Sequence, residues 1–191
     1  MKRLVVITVG KTHSGKTTFA RALEKQLKNS FVMDQDNHAE FLNTYYNNLI
    51  PKQGANILKH SISKLIVDYG KQHTDLHFIL CNSNRSRKDR LYLLKEIFPP
   101  NEFFRVLVHF DIPDEVLQSR VTQTERSTQI FRGANTSFED VLIRQKAESL
   151  NEEVAEPIKG EADRLFVIKE SLEADAVLKE IVRIAEELSM Q

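Results

Sequence analysis

The chain has 191 residues, enough for one ordinary domain that buries its own core without staples. Its 27 lysines and arginines balance 27 aspartates and glutamates, so no overall field draws it to nucleic acid or a membrane. A single cysteine, Cys81, excludes an internal disulfide and suits a reducing compartment, and no Cys/His cluster has the spacing of a zinc site.

The chain opens on MKRLVVITVG, whose apolar run is too short for a secretory signal and ends in glycine rather than a cleavage site. A cytoplasmic protein is therefore expected. Residues 4–9 are rich in β-branched side chains and read as a buried parallel strand. Phe19, Leu23 and Leu27 then recur at helical spacing, so a helix is expected over 15–28. Between the two stands G-x-x-x-x-G-K-T, from Gly10 through Thr12, His13 and Ser14 to Gly15, Lys16, Thr17 and Thr18. At such a strand-to-helix turn the backbone N–H groups of residues 12 to 17 converge on one anion, with the positive end of the helix dipole behind them. Lys16 is placed to reach the β- and γ-phosphates of a nucleotide, and the Thr17 hydroxyl to enter the shell of Mg²⁺. The expected cofactors are ATP and Mg²⁺.

A second strand is expected at 31–34, ending in FVMDQDNHAEF. Carboxyl ends of parallel strands line the ligand crevice, which brings Asp34 and Asp36 toward the bound phosphates. Asp36 is the candidate base for an acceptor hydroxyl and a second candidate metal ligand. The competing possibility is that Asp36 caps a helix entering at Asn37. His38, Tyr45 and Tyr46 are candidates for the acceptor pocket, on a further helix over 37–50 that ends at Pro51 and Gly54.

After a helix at 54–70, a third strand at 76–81 runs into CNSNRSRKDR. Nucleotide-binding sheets usually carry a metal-organising carboxylate at this point. Asn82 or Cys81 occupies it here, and Asn84, Arg85, Arg87, Lys88 and Arg90 follow. Cations at a helix start oppose the dipole, so this cluster reads either as a solvated helix end or as a site for an anionic substrate. The remaining elements are helices at 87–98, 114–124, 137–155 and 172–189, with strands at 105–110 and 164–168. The alternation predicts an α/β fold with a parallel sheet covered on both faces. Residues 122–137 are polar, carry Gly133 and read as a mobile segment. In the last helix Leu172, Val177, Leu178, Ile181, Ile184, Ala185 and Leu188 form the expected core stripe.

A phosphate loop specifies a nucleotide and not a reaction. The N-K-x-D and D-x-x-G strings of GTP switches and the L-S-G-G-Q string of transport ATPases do not occur.

Taken in order, VGKTHSGKTT, MDQD, ILCNSNRSRKDR, VLVHFDIPDEVLQSR and FEDVLIRQKAESLNEEVAEPIKGEAD resemble the P-loop kinases of the AAA_33 group. That group includes relatives of the phage polynucleotide 5′-hydroxyl kinase, gluconate kinase and the zeta toxins. The resemblance spans nearly the whole chain; the first forty residues also resemble nicotinamide riboside and uridine kinases. It implies a three-layer P-loop NTPase fold with a five-stranded parallel sheet in the order 2-3-1-4-5 and a lid near 122–137, all in one domain. It further implies that Asp36 activates the acceptor, that Asn82 stands where relatives carry aspartate, and that Asn84 matches a polynucleotide-kinase asparagine. Arg126, with Arg132 as substitute, falls where lid arginines clamp the transferring phosphoryl group; Arg120 is spaced differently from the usual pair. Pro157 and Glu161 resemble a segment before the last strand that is structural or near the nucleotide base.

The implied activity is transfer of the γ-phosphate of ATP to a hydroxyl on a small metabolite, nucleoside or polynucleotide 5′ end, without a membrane partner. The rivals are an ATP-binding, slowly hydrolysing regulator, for which the missing aspartate argues, and a nucleic-acid module built on Arg85–Arg90.

Overall fold

The protein is described from a computed structural model covering residues 2–51, 54–131 and 137–190. Five strands form one parallel sheet: β1 (Arg3–Val9), β2 (Ser30–Met33), β3 (His77–Leu80), β4 (Phe103–Phe110) and β5 (Arg164–Ile168). Their order is β2-β3-β1-β4-β5, as the resemblance implies. Central β1 pairs Val6 with Ile79 of β3 on one side and with Val106 of β4 on the other.

Because side chains alternate along a strand, the two faces of the sheet bury different residues. Leu4 and Val6 pack with Ile79, Val106 and Val108 under α1 (Lys16–Gln26), α5 (Asp114–Thr122), α6 (Phe138–Glu148) and α7 (Ala174–Ser189). Val5, Ile7 and Val9 pack on the opposite face with Phe78, Leu80 and Leu107, under α3 (Ile57–His73) and the segment of α4 (Arg87–Tyr92) that continues as a π-turn at Leu93–Ile97. A short α2 (Gln35–Tyr45) leans on α3. The Arg3 guanidinium closes the end of α3 by donating to the carbonyls of Gly70, Lys71 and Thr74 at 3.2, 3.1 and 2.8 Å.

Several boundaries differ from the sequence expectation for identifiable reasons. The helix after β2 starts at Gln35, because the cap is Asp34, whose Oδ1 accepts from the Asp36 N–H at 3.0 Å. It ends at Tyr45, and only a 3₁₀ turn at Asn47–Leu49 follows. Helix α6 stops at Glu148 rather than 155, where Arg85 Nη2 takes the Gln145 carbonyl and the Ser149 hydroxyl, both at 2.6 Å. Leu172 is not part of the core stripe: it sits in a 3₁₀ turn ahead of α7 and is exposed. Among the described residues no helix is long and apolar enough to cross a membrane.

Candidate functional site

The phosphate loop is built where β1 ends against β4. Gly10 has φ 151°, and a Cβ there would lie 2.9 Å from the Phe110 carbonyl oxygen and 3.0 Å from Ser14 Oγ, so only glycine lets the chain turn this close. Gly15 precedes α1 with φ 102°, and His13 adopts the left-handed region at φ 58°. These left-handed residues carry the chain through the tight turn from β1 into α1. The entry is braced from β3: Gly10 N–H donates to the Ser83 carbonyl at 3.0 Å, and Asn84 Nδ2 donates to the Thr8 carbonyl at 2.9 Å. Asn84 itself takes φ 45° to do so.

Lys16 folds back over the loop and donates to the Lys11 carbonyl at 2.5 Å and to Ser14 Oγ at 3.3 Å. Burial lowers its pKa to about 8, against the opposing pull of Cys81, Asp36 and Asp34. An ammonium held in this way gains a full counter-charge when an anion fills the loop. Thr18 is exposed on α1. His13 stacks edge-on against Phe138, with ring centroids 4.7 Å apart, and its Nδ1 lies 3.0 Å from Thr12 Oγ1. Its Nε2 is buried without a partner among the described residues. Burial, then the charges of Arg126, Lys16 and Arg120, lower the His13 pKa to about 4, so the ring is neutral.

The ends of β2 and β3 bring three side chains under the loop. Cys81 is buried, and its thiol reaches Thr17 Oγ1 at 3.5 Å. Burial, chiefly, raises its pKa to about 11 and keeps it a thiol. Cys81, not Asn82, therefore occupies the place facing the phosphate-loop threonine. Asn82 turns aside: its Oδ1 accepts from the Gln35 N–H at 3.1 Å and its carbonyl from Thr8 Oγ1 at 3.2 Å. Asp34 is buried as the α2 cap, and burial followed by repulsion from Asp36 raises its pKa. Asp36, in the first turn of α2, points into the crevice.

The crevice is a cavity of about 630 Å³ lined on one side by Thr12, Lys16, Thr17, Asp36, Cys81 and Asn82. Its other walls include Asn56, Lys59 and His60 of the α3 region, and Phe138, Arg144 and Gln145 of α6. Arg126 closes it from the segment after α5: Nη2 meets Asp36 Oδ2 at 3.2 Å, and the guanidinium lies 4.8 Å from the Phe138 ring centre. The same segment docks on α2, where Asn43 Nδ2 donates to the carbonyls of Gln129 (2.6 Å) and Phe131 (3.2 Å), and Ser127 Oγ to Glu40 at 3.0 Å. Arg132 and Gly133 lie outside the described residues. Arg120 donates to the His13 carbonyl at 3.1 Å and to Ser171 Oγ at 2.8 Å.

The remaining sequence candidates have structural partners. His38 Nδ1 is 2.8 Å from Ser63 Oγ, whose own proton goes to the Lys59 carbonyl. Tyr45 and Tyr46 are exposed and both pack against Phe41, the first ring tilted and the second edge to face. The basic run divides: Arg85 bonds Glu148 and the end of α6, whereas Arg90 is wholly buried, pairs with Glu161 at 3.1 Å and donates to the carbonyls of Asn84 (3.2 Å) and Arg85 (2.8 Å). Arg87 also reaches Glu161, at 3.7 Å. Glu161 thus anchors the turn that braces the phosphate loop.

Sequence reasoning missed Gln145. Its Oε1 accepts from the Thr12 N–H at 2.7 Å, so one loop amide is already engaged from α6. The signal was present, since Phe138, Leu142 and Gln145 share the buried stripe of that helix and a polar residue in such a stripe needs a partner. Lys59 and Arg144 were missed as well, being scattered in sequence and gathered only by the packing around the cavity.

The donor set suits Mg²⁺. A hard cation takes oxygen ligands, usually one or two from protein and the rest from phosphate and water. The Thr17 hydroxyl and the Asp34 and Asp36 carboxylates supply such oxygens beside the loop, whereas protonated Cys81 does not. No group of three or more metal-binding His, Cys, Asp or Glu side chains occurs among the described residues.

A sequence profile of the AAA domain family AAA_33 matches residues 5–148. No curated protein matches the chain in sequence. Among solved structures, a Chloroflexus aurantiacus protein whose kinase assignment is provisional shares 15% identity at TM-score 0.66, over 96% of this chain and 98% of that one. A gluconokinase from Sinorhizobium meliloti shares 17% at TM-score 0.58, over 100% and 99%. Kti12 from Chaetomium thermophilum, solved with ADP-AlF3, shares 15% at TM-score 0.57, over 93% and 96%. Likeness at such identities speaks for a common fold.

Proposed function

The chain belongs to the AAA_33 family of AAA domains, and on that premise we propose that it is an ATP-dependent phosphotransferase acting on a hydroxyl acceptor. The observation that carries the reading is the Asp36–Arg126 pair, which stands in one cavity with Lys16 and Thr17. A pure nucleotide-binding loop has no need of a carboxylate and a guanidinium aimed across it. Phosphoryl transfer does, because a proton must leave the acceptor while negative charge spreads over the transferring oxygens.

In this reading the loop backbone and Lys16 hold the β- and γ-phosphates. Thr17, with Asp34 or Asp36 beside it, would hold a Mg²⁺ ion carried in with ATP, and such an ion would supply positive charge against the phosphate oxygens. The γ-phosphate draws Arg126 away from Asp36. The freed carboxylate then accepts the proton of the acceptor hydroxyl and orients its oxygen on phosphorus. Phe131 and Phe138, with the segment that carries Arg126, keep competing water out.

The test is ADP release from ATP and Mg²⁺ with a panel of acceptors: a 5′-hydroxyl oligonucleotide, nucleosides including nicotinamide riboside, gluconate and an aminoglycoside. Stimulation by one acceptor, with phosphate found on it, supports the assignment. Hydrolysis that no acceptor accelerates argues for the second reading, a regulator that binds and slowly hydrolyses ATP. The observation in its favour is the Cys81 thiol facing Thr17 where a carboxylate is expected. Cys81→Asp separates the two: a transferase gains or loses acceptor-dependent turnover, and a binding module changes only in Mg²⁺ dependence.

A further inference from the structure

Gln145 braces the phosphate loop with only half of its side chain. Its Oε1 accepts from the Thr12 N–H at 2.7 Å. A backbone N–H can only donate, so turning the carboxamide end for end would set donor against donor, and the oxygen is fixed toward the loop. Nε2 is left with two hydrogens and no acceptor among the described residues. It is not sealed off either, because His13 Nε2 is the one fully buried side-chain nitrogen or oxygen without a partner among those residues. Gln145 is 7% exposed and lines the crevice with Thr12, Lys16 and Thr17, so that opening is where Nε2 emerges.

The grip on the loop is two-sided. Lys16 Nζ donates to the Lys11 carbonyl at 2.5 Å, and Gln145 takes the N–H of the same Lys11–Thr12 peptide, so each bond polarises the peptide in the sense that strengthens the other. On α6 the Gln145 backbone is fixed as well: its carbonyl accepts from Arg85 Nη2 at 2.6 Å, and Phe138 and Leu142 are buried on the same stripe. Bracing alone calls for an oxygen, and a carboxylate would accept the Thr12 N–H more strongly. It would also set a negative charge beside phosphates held in the loop. A carboxamide keeps the brace and puts two neutral donors where that charge would have been. Donors fixed before the ligand arrives need no reorganisation to meet it, and phosphate oxygens are acceptors only.

We infer that Gln145 orients the terminal phosphoryl group of the nucleotide: Nε2 donates to one of its oxygens while Oε1 stays on the loop. This rests on the phosphotransferase reading and adds a residue to it. Lys16 and Arg126 supply positive charge there, which attracts the phosphoryl oxygens without choosing among them. A rigid, neutral donor chooses one, and so sets which face of phosphorus is turned to Asp36. The contact belongs to the γ-phosphate and not to the β-phosphate, so Gln145 also distinguishes a nucleoside triphosphate from a diphosphate.

Calorimetry in the presence of Mg²⁺ measures the affinity of the full chain for AMPPNP relative to ADP. Gln145→Met keeps length and neutrality but removes both donor and brace; Gln145→Glu keeps an oxygen for the Thr12 N–H and removes only the donor. The AMPPNP-to-ADP affinity ratio should fall about tenfold in Gln145→Met, the usual weight of a hydrogen bond to a charged group, and at least as far in Gln145→Glu. Gln118→Leu, which changes an exposed glutamine of α5, should leave the ratio as it is. A residue that only braced the loop would weaken both nucleotides alike in Gln145→Met and leave the ratio untouched. An unchanged ratio in both variants overturns the inference, and so does a fall confined to Gln145→Glu, which is charge repulsion alone. Should Gln145→Met not fold, an unchanged ratio in Gln145→Glu still overturns it. Phosphate transfer to an acceptor with an unchanged ratio would sink this inference alone. A lowered ratio in a protein that phosphorylates no acceptor would sink the phosphotransferase reading alone and leave Gln145 as a γ-phosphate contact.

Discussion

In the proposed function Lys16 is the residue on which nucleotide chemistry depends, and in the structure it contacts a carbonyl and a hydroxyl of its own loop. Lys16→Ala should remove detectable ATP turnover and weaken nucleotide binding, as read by calorimetry; full activity would refute the site. Asp36 is different in kind, since it sits beyond the loop and pairs with Arg126. Asp36→Asn keeps the shape and the backbone N–H that Asp34 caps but removes the proposed base, so kcat should fall about 100-fold or more with ATP affinity nearly unchanged. Equal loss of both would make Asp36 a structural residue. The loop motif was legible because its spacing is the geometry. The orientation of Cys81 was not, because the chain leaves β3 at that residue and alternation no longer decides which side chain faces Thr17. The split of the arginine run was equally hidden: burying Arg90 requires Glu161, 71 residues further along.

At the scale of elements, the Arg90–Glu161 pair ties the start of α4 to the segment before β5 and, through the Asn84 and Arg85 carbonyls, to the brace of the phosphate loop. Removing one member of a buried pair strands the other charge, which typically costs about 3–5 kcal/mol. Glu161→Gln should therefore lower Tm by roughly 10 °C, given about 2–4 °C per kcal/mol for a chain of this size. Calorimetry checks this, and a shift within about 2 °C would show that the carbonyls alone compensate Arg90. The five strands and their alternation with helices were readable because apolar runs this short, bounded by polar turns, admit few other structures. Helix ends were less readable, since they are set by distant groups such as Arg85 at the end of α6.

For the whole molecule, burial is the main cause that keeps His13, His38, His60, His77 and His109 below their ordinary pKa, which is five of the six histidines. In the unfolded chain these rings take up protons near pH 6.5, whereas in the folded chain they do so only at lower pH. Unfolding is therefore favoured by protons as pH falls from about 6.5 toward 4, and stability is retained above that window. Urea denaturation should show a midpoint that declines steadily across it. His13→Asn, which also suits the left-handed backbone, should flatten the decline by about 1 kcal/mol once solvent screening of this partly exposed ring is allowed for; an unchanged slope would place the acid sensitivity elsewhere. The single thiol of the chain offers a different kind of access. Cys81 lies beneath the phosphate loop, protonated and only 3% exposed at the floor of the cavity, so a thiol reagent should reach it faster when the loop and its covering segment part. Its labelling rate is thus an intrinsic clock for opening of the crevice, needing no engineered probe, and nucleotide should slow it in proportion to occupancy.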